Sequence, residues 1–366
     1  MKKKKILFHI NSMGKGGAER VVSVLTRYFA QDEYDVTLVT LWRAKEEYEL
    51  SEKVKRINLE ELCQGKSLGR LGMAAYRLMT FKKILKEEAP DIVISFCGKA
   101  NFRCSYSMIG MKTPLLVSVR NDPKRDYVPH KLSTRVMEKK AAGCVFQTPD
   151  AQAGFGVELQ KKSRVIWNPV EEKYLERQEK RENSGYVVTV GRLSEQKNHM
   201  LLLRAFKQVH VAFPELVLRI YGEESEAGMK DKLLQYVKEQ GLETSVQFMG
   251  QSNQPEKDIR DAGMFVLSSD YEGMPNALIE AMVMGIPVIS TDCPCGGPAE
   301  LIENGVSGIL IPVRDEEELA ASIRLLLENK ELAETLGKKA AELAKKVSPE
   351  RIYEEWKSYV EELTKY

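Results

Sequence analysis

The sequence predicts an α/β protein of two domains, each built around a doubly wound parallel sheet, that face each other across a central cleft. Three observations lead to this fold class. The chain has 366 residues, which is long for a single hydrophobic core. Short apolar segments alternate with helical patterns in two successive series, as they do in Rossmann-like folds. A polar stretch between Pro169 and Gly185, almost without aliphatic side chains, separates the series and is predicted to be the linker.

The first series defines an N-terminal domain of residues 1–170. Its apolar segments are predicted to be buried strands because they are short and helical patterns separate them. These strands are Ile6–Asn11, Val36–Leu41, Ile92–Phe96, Leu115–Val119, Cys144–Gln147 and Val165–Trp167.

The second series defines a C-terminal domain of residues 186–350. Its predicted strands are Tyr186–Val190, Leu216–Tyr221, Val246–Met249, Met264–Leu267, Val288–Thr291 and Ile309–Ile311. The helices predicted for the tail are Glu316–Leu327, Glu331–Lys345 and Pro349–Thr364. We expect residues 351–366 to form a C-terminal helix that crosses back to the N-terminal domain.

The composition is that of a soluble globular protein, with 43% hydrophobic and 30% charged residues. The six cysteines show no pairing scheme, which indicates a reducing compartment. Cys293 and Cys295 are a weak metal signal, because no second Cys/His pair accompanies them. The apolar stretch after the opening lysines is too short for a secretory signal, and no run approaches the ~20 apolar residues of a membrane span. We expect a cytoplasmic protein, peripheral on the inner face of the plasma membrane.

Charge is distributed unevenly, although the net charge is only +2. Residues 1–170 carry 31 Lys and Arg against 18 Asp and Glu, or +13, whereas residues 171–366 carry 24 against 35, or −11. A basic first half indicates that this half faces an anionic surface or ligand. We do not expect nucleic acid among the partners.

A pair of glutamates is the strongest indication of function. Glu272 follows the predicted strand Met264–Leu267, at the carboxyl end where open α/β sheets bind ligands. Glu280 lies in an apolar helical run for which Pro275 is a suitable first residue and Gly285 a suitable end. A buried carboxylate needs donors that offset its desolvation, and the hydroxyls of a ribose or a hexose are suitable. The alternative is that Glu280 caps a neighbouring loop or pairs with an arginine.

The loop from Gly191 to Asn198 has the composition of a diphosphate site. It connects a predicted strand to a helix, so that Arg192 and Lys197 lie near a helix amino terminus at the carboxyl end of a strand. The helix dipole and the free amides add to the two cations. The alternative is a solvated loop with surface cations.

A glycine-rich loop also follows the first predicted strand. Gly14, Gly16 and Gly17 are present, but Glu19 stands where a dinucleotide fingerprint has its third glycine. NAD binding is therefore not expected. Gly16 and Gly17 still let a ligand approach the backbone, and the helix that follows offers its amides to an anion.

These motifs occur together with others further along the chain. The full set is Gly16-Gly-Ala-Glu19, Val190 to Asn198, Tyr221-Gly-Glu223, the Glu272/Glu280 pair, Pro287 to Asp292 and Gly296 to Gly308. The set resembles the motifs of retaining glycosyltransferases of family 4, which have the GT-B fold. The resemblance covers nearly the whole chain and is most specific between residues 186 and 312. With the segment Ser118 to Pro123, the Gly-Gly-Ala-Glu-Arg opening is similar to that of transferases that elongate lipid-linked or capsular polysaccharides.

The resemblance implies roles for the matching residues. Arg192 and Lys197 would hold the donor diphosphate, Glu272 the hydroxyls of the transferred sugar and Glu280 the nucleotide ribose. Glu272, Arg192 and Lys197 would be catalytic, because cleavage of the anomeric bond loads negative charge onto the diphosphate. No metal or other cofactor would be required. The other donor-binding candidates are Gly16, Gly17, Gly191, Gly222, Glu223, Met274, Pro275, Asn276, Ala277 and Leu278.

One position departs from the family's pattern. Many relatives have a histidine near the end of a first-domain strand, where this chain has Val119-Arg120-Asn121-Asp122. Arg120 or Asn121 is expected to replace it. The candidates for contact with the sugar or the acceptor are therefore Arg120, Asn121, Asp122 and Asn168. His9 is interpreted as a partly buried structural residue rather than as a base.

Residues 66–88 form an amphipathic helical pattern. The apolar residues on one face are Leu68, Leu71, Ala75, Leu78, Met79 and Leu85, and the cations around it are Lys66, Arg70, Arg77, Lys82, Lys83 and Lys86. The pattern is typical of an interfacial helix, where each basic group near anionic lipid contributes about 1 kcal/mol. It is also typical of a domain helix packed on its sheet, and one helix can be both.

The sequence therefore predicts a retaining glycosyltransferase. We expect it to move a hexose, N-acetylated or not, from a nucleotide sugar, with UDP favoured, to a lipid-linked, capsular or exopolysaccharide glycan. The expected partners are the nucleotide sugar, the lipid-linked saccharide acceptor and an anionic membrane surface. The alternatives are a UDP-sugar epimerase of similar architecture and a non-catalytic nucleotide-sugar-binding protein.

Overall fold

The computed structural model describes residues 3–66, 68–176, 184–252 and 254–365, which form two compact α/β units. Unit 1 comprises Met1–Pro169 and Pro349–Tyr366, and unit 2 comprises Val170–Ser348. The predicted linker is described in part. Its residues Glu172–Leu175 form a short helix, α9, in which Tyr174 is buried, and residues 177–183 lie outside the described residues.

The described residues of unit 1 contain a parallel sheet. Its strands are β1 (Lys5–Ile10), β2 (Asp35–Thr40), β3 (Lys55–Asn58), β4 (Ile92–Phe96), β5 (Leu115–Ser118), β6 (Gly143–Phe146) and β7 (Ser163–Val165). The strand order is β3-β2-β1-β4-β5-β6-β7, so β1 and β4 lie in the middle. Both are buried along nearly their whole length, as expected for strands covered on two faces. All carboxyl ends therefore meet at one edge of the sheet.

The helices of unit 1 that precede the linker connect these strands. They are α1 (Gly17–Gln31), α2 (Leu59–Leu62), α3 (Gly69–Glu88), α4 (Gly98–Ser107), α5 (Pro123–Asp126), a 3-10 turn (Val128–His130), α6 (Lys131–Lys140), α7 (Pro149–Ala153) and α8 (Val157–Lys161). In α1 the apolar side chains recur at helical spacing and pack into the core beside β1.

The C-terminal helix, Pro349–Leu363, packs on unit 1 rather than on unit 2. Trp356 is fully buried and stacks on Phe96 with a centroid distance of 5.4 Å. Tyr353 packs edge-on against Phe29 of α1 at 5.0 Å. Burial of these large rings provides the driving force that holds the helix against the sheet of unit 1.

Unit 2 repeats the arrangement with another parallel sheet. Among the described residues its strands are β8 (Ser184–Val190), β9 (Val217–Tyr221), β10 (Val246–Gly250), β11 (Ala262–Leu267), β12 (Val288–Thr291) and β13 (Ile309–Ile311). The order is β10-β9-β8-β11-β12-β13. β9 and β10 lie on one side of β8, and β11, β12 and β13 lie on the other, so the strand order reverses next to β8. Open α/β sheets bind ligands in the crevice at such a reversal.

The helices of unit 2 cover both faces of this sheet. After α9 they are α10 (His199–His210), α11 (Met229–Glu239), α12 (Pro255–Arg260), α13 (Asn276–Val283), α14 (Gly297–Leu301), α15 (Glu316–Glu328), α16 (Lys330–Ala340), a 3-10 turn (Ala341–Leu343) and α17 (Ala344–Val347). The helices α10 and α15 pack against each other and share an apolar core with β8, β9 and β11.

The predicted strands are found, with differences at the edges of the first sheet. Lys55–Asn58 was not predicted because Ile57 is its only aliphatic residue, and it is an edge strand, where polar residues are usual. The strand predicted at Val165–Trp167 lies too far along the chain. The observed edge strand is Ser163–Val165. The single helix predicted over Glu331–Lys345 is interrupted by the turn Ala341–Leu343. In the described part of the chain, no helix is long and apolar enough to cross a bilayer.

Candidate functional site

The carboxyl edge of the sheet in unit 2 brings Lys197 and Glu272 together. Lys197 Nζ lies 2.5 Å from Glu272 Oε1, and the side chain of Glu272 is only 8% exposed. Ser269 Oγ donates a second hydrogen bond to the same carboxylate oxygen at 2.6 Å. These two donors offset the desolvation of the carboxylate. The sequence placed Glu272 and Lys197 each at the carboxyl end of a strand, and the structure brings their side chains, 75 positions apart, into direct contact.

Two backbone interactions hold the loop of Glu272. Its amide donates to the carbonyl of Pro294 at 2.6 Å, and its carbonyl accepts from the amide of Cys295 at 2.9 Å. The loop after β12 therefore pairs with the loop after β11. A Cβ at Gly297 would lie 1.9 Å from the carbonyl oxygen of Gly273, so the approach of the two loops requires glycine there. The Gly296-Gly297 dipeptide was the sequence signal for this contact, although its partner was not predictable.

The loop that carries Lys197 is tied to the same strand end. The carbonyl oxygen of Gln196 accepts a hydrogen bond from the amide of Asp270 at 2.8 Å. The side-chain amide of Gln196 donates to the carbonyl oxygen of Tyr271 at 2.9 Å. Asn198 adopts a left-handed conformation with φ 44°, caps α10 through its side chain and donates to Asp270 at 2.9 Å. Lys197 therefore extends from a backbone that is fixed on both sides, which pre-organises its ammonium group.

Gly191 and Gly222 allow two strand ends of unit 2 to approach closely. Gly222 has φ 143°, and a Cβ there would lie 2.0 Å from the carbonyl oxygen of Gly191. A Cβ at Gly191 would in turn lie 3.2 Å from the side chain of Lys197. Both glycines predicted to bind the donor therefore have a steric role, because they leave room for the lysine and for the neighbouring backbone.

Glu280 lies in the body of α13 and is only 2% exposed. The helix begins at Asn276, and Pro275 is its N-cap rather than its first helical residue as predicted. Gly285, with φ 75°, ends the helix as expected. Of the predicted donor-binding residues here, Met274, Pro275 and Leu278 are buried, whereas Asn276 and Ala277 are half-buried at the helix amino terminus.

Arg192 and Glu223 are exposed at the same strand ends. In the described residues, Arg192 makes no ion pair, unlike Lys197. The carbonyl of Glu223 accepts from the amide of Leu193 at 2.8 Å, which joins the loops after β8 and β9. The structure thus brings Gly191, Lys197, Gly222, Glu223 and Glu272 to one edge, and it leaves the guanidinium of Arg192 in solvent.

The glycine loop of unit 1 lies at the carboxyl end of β1. Gly16 is the N-cap of α1 in an extended conformation, and Gly17 is its first residue. The loop after β2 folds over the glycine loop. The amide of Tyr48 donates to the carbonyl oxygen of Met13 at 2.9 Å, and the ammonium group of Lys15 lies 5.2 Å from the centre of the Tyr48 ring. These contacts fix the start of α1.

Arg120 and Asn168 contact each other at the carboxyl edge of unit 1. Arg120 Nη1 donates to Asn168 Oδ1 at 2.7 Å, and the guanidinium lies over the rings of Phe96 at 4.8 Å and Trp356 at 5.5 Å. Burial lowers the pKa of Arg120 to about 10. Gln147, not singled out in the sequence, donates to the same Asn168 oxygen at 2.8 Å.

Asn121 and Asp122 have local roles beside Arg120. Asn121 donates a side-chain hydrogen bond to Asp126, and burial raises the pKa of that carboxyl group. Asp122 caps α5 by accepting from the amide of Lys124 at 2.9 Å. The structure thus brings Arg120 and Asn168 together and gives Asn121 and Asp122 separate partners.

His9 is fully buried and forms a chain of hydrogen bonds that the sequence did not predict. Its Nδ1 lies 2.8 Å from the carbonyl oxygen of Val39, and its Nε2 lies 2.9 Å from Nη1 of Arg103. The same Nη1 donates to Asn11 Oδ1 at 3.0 Å. Burial, and then the charge of Arg103, lowers the pKa of His9 to about 3, so the imidazole is neutral and accepts from the arginine.

The amphipathic pattern of residues 66–88 becomes the helix α3, whose apolar side chains are divided. Phe81, Ile84 and Leu85 are buried in the unit, whereas Leu68, Leu71 and Met79 are 50%, 86% and 70% exposed. Of the apolar residues predicted to form one face, Leu85 alone is buried, and the others are partly or largely exposed. The segment of α3 from Phe81 to Leu85 packs as a domain helix, whereas Leu71 and Met79 present large apolar side chains to solvent.

The cysteines of the described residues are reduced, and Cys293 and Cys295 are buried. Cys295 Sγ lies 3.4 Å from the carbonyl oxygen of Glu272, so it supports the loop of the site. In the described ranges, no group of three His, Cys, Asp or Glu side chains is arranged to hold a metal ion.

Two family models match successive parts of the chain. "Glycosyltransferase Family 4" matches residues 15–172, and "Glycosyl transferases group 1" matches residues 170–343. Their boundary falls where the chain passes from unit 1 to unit 2.

Two curated relatives of Campylobacter jejuni are similar over nearly the full length. One, GalNAc-alpha-(1->4)-GalNAc-alpha-(1->3)-diNAcBac-PP-undecaprenol alpha-1,4-N-acetyl-D-galactosaminyltransferase, is 25% identical over 98% of this chain and 99% of its own length. The other, N-acetylgalactosamine-N,N'-diacetylbacillosaminyl-diphospho-undecaprenol 4-alpha-N-acetylgalactosaminyltransferase, is 27% identical over 93% of this chain and 95% of its own length.

The fold is also similar to that of solved structures. HepE of Anabaena in complex with UDP and glucose superposes with a TM-score of 0.82 at 19% identity, covering 97% of this chain and 98% of its own. The motifs at the two carboxyl edges, the two parallel-sheet units and the two family models agree with one another. This chain is a glycosyltransferase of the GT-B fold and belongs to family 4.

Proposed function

We propose that this chain is a retaining transferase that moves a hexose from a UDP-sugar to a lipid-linked or capsular glycan. The observation that supports this most is the buried contact between Lys197 and Glu272 at the carboxyl edge of unit 2. A carboxylate held there by a lysine and a serine can accept hydrogen bonds from sugar hydroxyls through its other oxygen. The lysine, together with the exposed Arg192, can neutralise a diphosphate.

The reaction that fits these residues is electrostatically assisted transfer. Cleavage of the anomeric C–O bond leaves its electron pair on the diphosphate, while an acceptor hydroxyl oxygen bonds to the anomeric carbon and its proton passes to the departing diphosphate. Lys197 and Arg192 stabilise the charge that develops on the diphosphate more than they stabilise the intact donor. Glu272 orients the sugar, and Glu280 binds the ribose. We propose that no resident metal or other cofactor takes part, because the two cationic side chains supply the positive charge.

The acceptor class and the location are inferred from the relatives and from α3. The Campylobacter enzymes are named for acceptors on diphospho-undecaprenol, a membrane lipid. The exposed Leu71 and Met79 on a basic helix would place unit 1 on the inner face of the plasma membrane. The cations of α3 and the anionic lipid headgroups would attract each other and so strengthen this attachment.

The test is transfer assayed by mass. The protein is incubated with a panel of UDP-, GDP- and ADP-sugars, with and without diphospho-polyprenyl saccharides, and in the presence of EDTA. We expect one hexose added to the lipid-linked acceptor, retention of the anomeric configuration and no loss of rate in EDTA. Release of free sugar and nucleotide without an acceptor would instead show an epimerase or hydrolase, and the proposal would be wrong.

A further inference from the structure

Arg103 of α4 is a cation without a matching anion at the carboxyl edge of unit 1. Both of its hydrogen bonds come from Nη1, and both acceptors, His9 and Asn11, are neutral. In the described parts of the chain, Nε and Nη2 of Arg103 have no hydrogen-bond partner, and no carboxylate forms an ion pair with it. A half-buried guanidinium in this state retains unused donors and uncompensated charge.

A second arginine increases the positive charge at this place. Arg77 of α3 donates to Glu60 at 2.7 Å, and its Nε is buried without a partner in the described residues. Burial, and then repulsion from Arg77, lowers the pKa of Arg103, and Glu60 is the acid that opposes this. Among the described residues, Glu60 is hydrogen-bonded to Arg77 and not to Arg103, so two guanidinium groups and one carboxylate leave the cluster with one net positive charge.

The position of the cluster relates α3 to the glycine loop. Asn11 follows β1 directly and precedes Gly14 and Gly16, so Arg103 lies at the edge where parallel sheets bind ligands. Arg77 lies six residues after Leu71, or about 9 Å along the axis of α3. The same helix therefore carries exposed apolar side chains, Leu71 and Met79, before and after Arg77, whose charge acts on Arg103.

We infer that Arg103 and Arg77 bind the diphosphate of the lipid-linked acceptor. This inference depends on the proposed acceptor class. In such a molecule the diphosphate lies between the lipid and the glycan, so its binding site must lie between a membrane-facing surface and the sheet edge. Planar guanidinium groups suit phosphate oxygens, which accept two parallel hydrogen bonds. His9 and Asn11 are positioning residues, because they hold Nη1 and leave Nε and Nη2 for the anion.

Binding of inorganic pyrophosphate tests the site without turnover. Titration calorimetry would use a background in which Arg192→Ala and Lys197→Ala remove the proposed donor cations. We expect pyrophosphate to bind this background, and Arg103→Gln to weaken that binding about tenfold or more, with partial recovery in Arg103→Lys. Arg324→Gln, at an exposed arginine of α15, is the matched control and should have no effect. Unchanged binding after Arg103→Gln, or no binding by the background, would overturn the inference.

Kinetics with two acceptors identify which substrate the site holds. In the otherwise unchanged enzyme, Arg103→Gln should raise KM for the diphospho-lipid acceptor about tenfold, leave KM for the nucleotide sugar unchanged and have no effect on the same glycan as an alkyl glycoside. A rise in KM for the nucleotide sugar alone would assign the site to the donor and refute the inference. If the unsubstituted enzyme transfers nothing, the proposed function fails, and calorimetry still decides whether Arg103 binds diphosphate. Should Arg103→Gln melt early, Arg77→Gln, at a partly exposed residue, replaces it in both experiments.

Discussion

Lys197 Nζ and Glu272 Oε1 lie 2.5 Å apart, although 75 positions separate the two residues in the chain. The lysine follows β8 and the glutamate follows β11, and these strands are neighbours in the parallel sheet. The contact therefore depends on the pairing of two strands whose carboxyl ends lie at the same edge. It places a cation and an acid where the proposed donor would require both.

Replacement of either member of this pair should abolish transfer. We expect Lys197→Ala and Glu272→Ala each to lower kcat by about 10²–10³, since each removes charge that acts in the transition state. Circular dichroism would check that each variant is folded, and a radioassay of transfer would measure its rate. Full activity in either variant would contradict the assigned roles.

The contributions of Lys197 and Glu272 to the free energy of unfolding should be coupled. Lys197→Ala leaves the 8% exposed carboxylate of Glu272 with Ser269 as its remaining side-chain donor among the described residues, so we expect a loss of about 1–3 kcal/mol in the free energy of unfolding. The double variant should lose less than the sum of the single variants. Lys338→Ala, at a 74% exposed lysine, is the control and should lose less than about 0.5 kcal/mol. Additive losses in urea denaturation would show that the pair is not coupled.

Gly222→Ala should disrupt the loop that carries Arg192 and Lys197. The new Cβ would lie 2.0 Å from the carbonyl oxygen of Gly191, at a φ of 143° that disfavours alanine. We expect the free energy of unfolding to fall by about 2 kcal/mol or more, and KM for the nucleotide sugar to rise. Gly241→Ala is the control, because Gly241 also has a positive φ, 67°, but a Cβ there would meet open space. We expect this variant to lose about 1 kcal/mol in the free energy of unfolding. Equal losses in the two variants would show that steric conflict with Gly191 is unimportant.

Buried histidines should make the protein less stable in acid. Burial, and then the charge of Lys197, lowers the pKa of His199 to about 3, so the folded chain keeps this imidazole neutral. The unfolded chain binds a proton below about pH 6.5, and the stabilising contribution is therefore present above that pH and lost as pH falls towards 3. His199→Gln should reduce the slope of unfolding free energy between about pH 6 and 4 by up to about 1.4 kcal/mol per pH unit. The exposed His130→Gln is the matched control, and an unchanged slope in His199→Gln would refute the account.

Attachment to anionic vesicles should depend on the exposed apolar side chains of α3 and on its cations. Leu71→Ser with Met79→Ser should reduce sedimentation with phosphatidylglycerol vesicles, because these side chains are 86% and 70% exposed. Neutralising Lys83 and Lys86 should weaken binding about fivefold per charge and reduce its dependence on salt. Leu325→Ser, at a 44% exposed leucine of unit 2, is the control. Binding that is insensitive to both the apolar and the charge changes would exclude α3 as the membrane surface.

Much of the fold followed from local pattern. Buried strands such as Ile92–Phe96 and Val288–Thr291 were predicted with their observed bounds, because parallel strands covered on two faces are continuous apolar runs. The edge strands β3 and β7 were missed or displaced, since one side of each lacks a partner and their sequences carry less apolar signal. The division of the apolar residues of α3 was not predictable either, because helical spacing does not tell which part of a face is covered.

The amino-acid sequence alone was sufficient for the two α/β units, the uneven charge and the residue types of a phosphate and sugar site, since these depend on short-range periodicity and on motifs within single loops. The tertiary structure decided which of those residues meet. Lys197 on Glu272, Gly222 against Gly191 and Arg103 on His9 each join segments that are brought together by strand pairing or helix packing. Contacts of this kind depend on the register and packing of the folded chain, which no local pattern of residues contains.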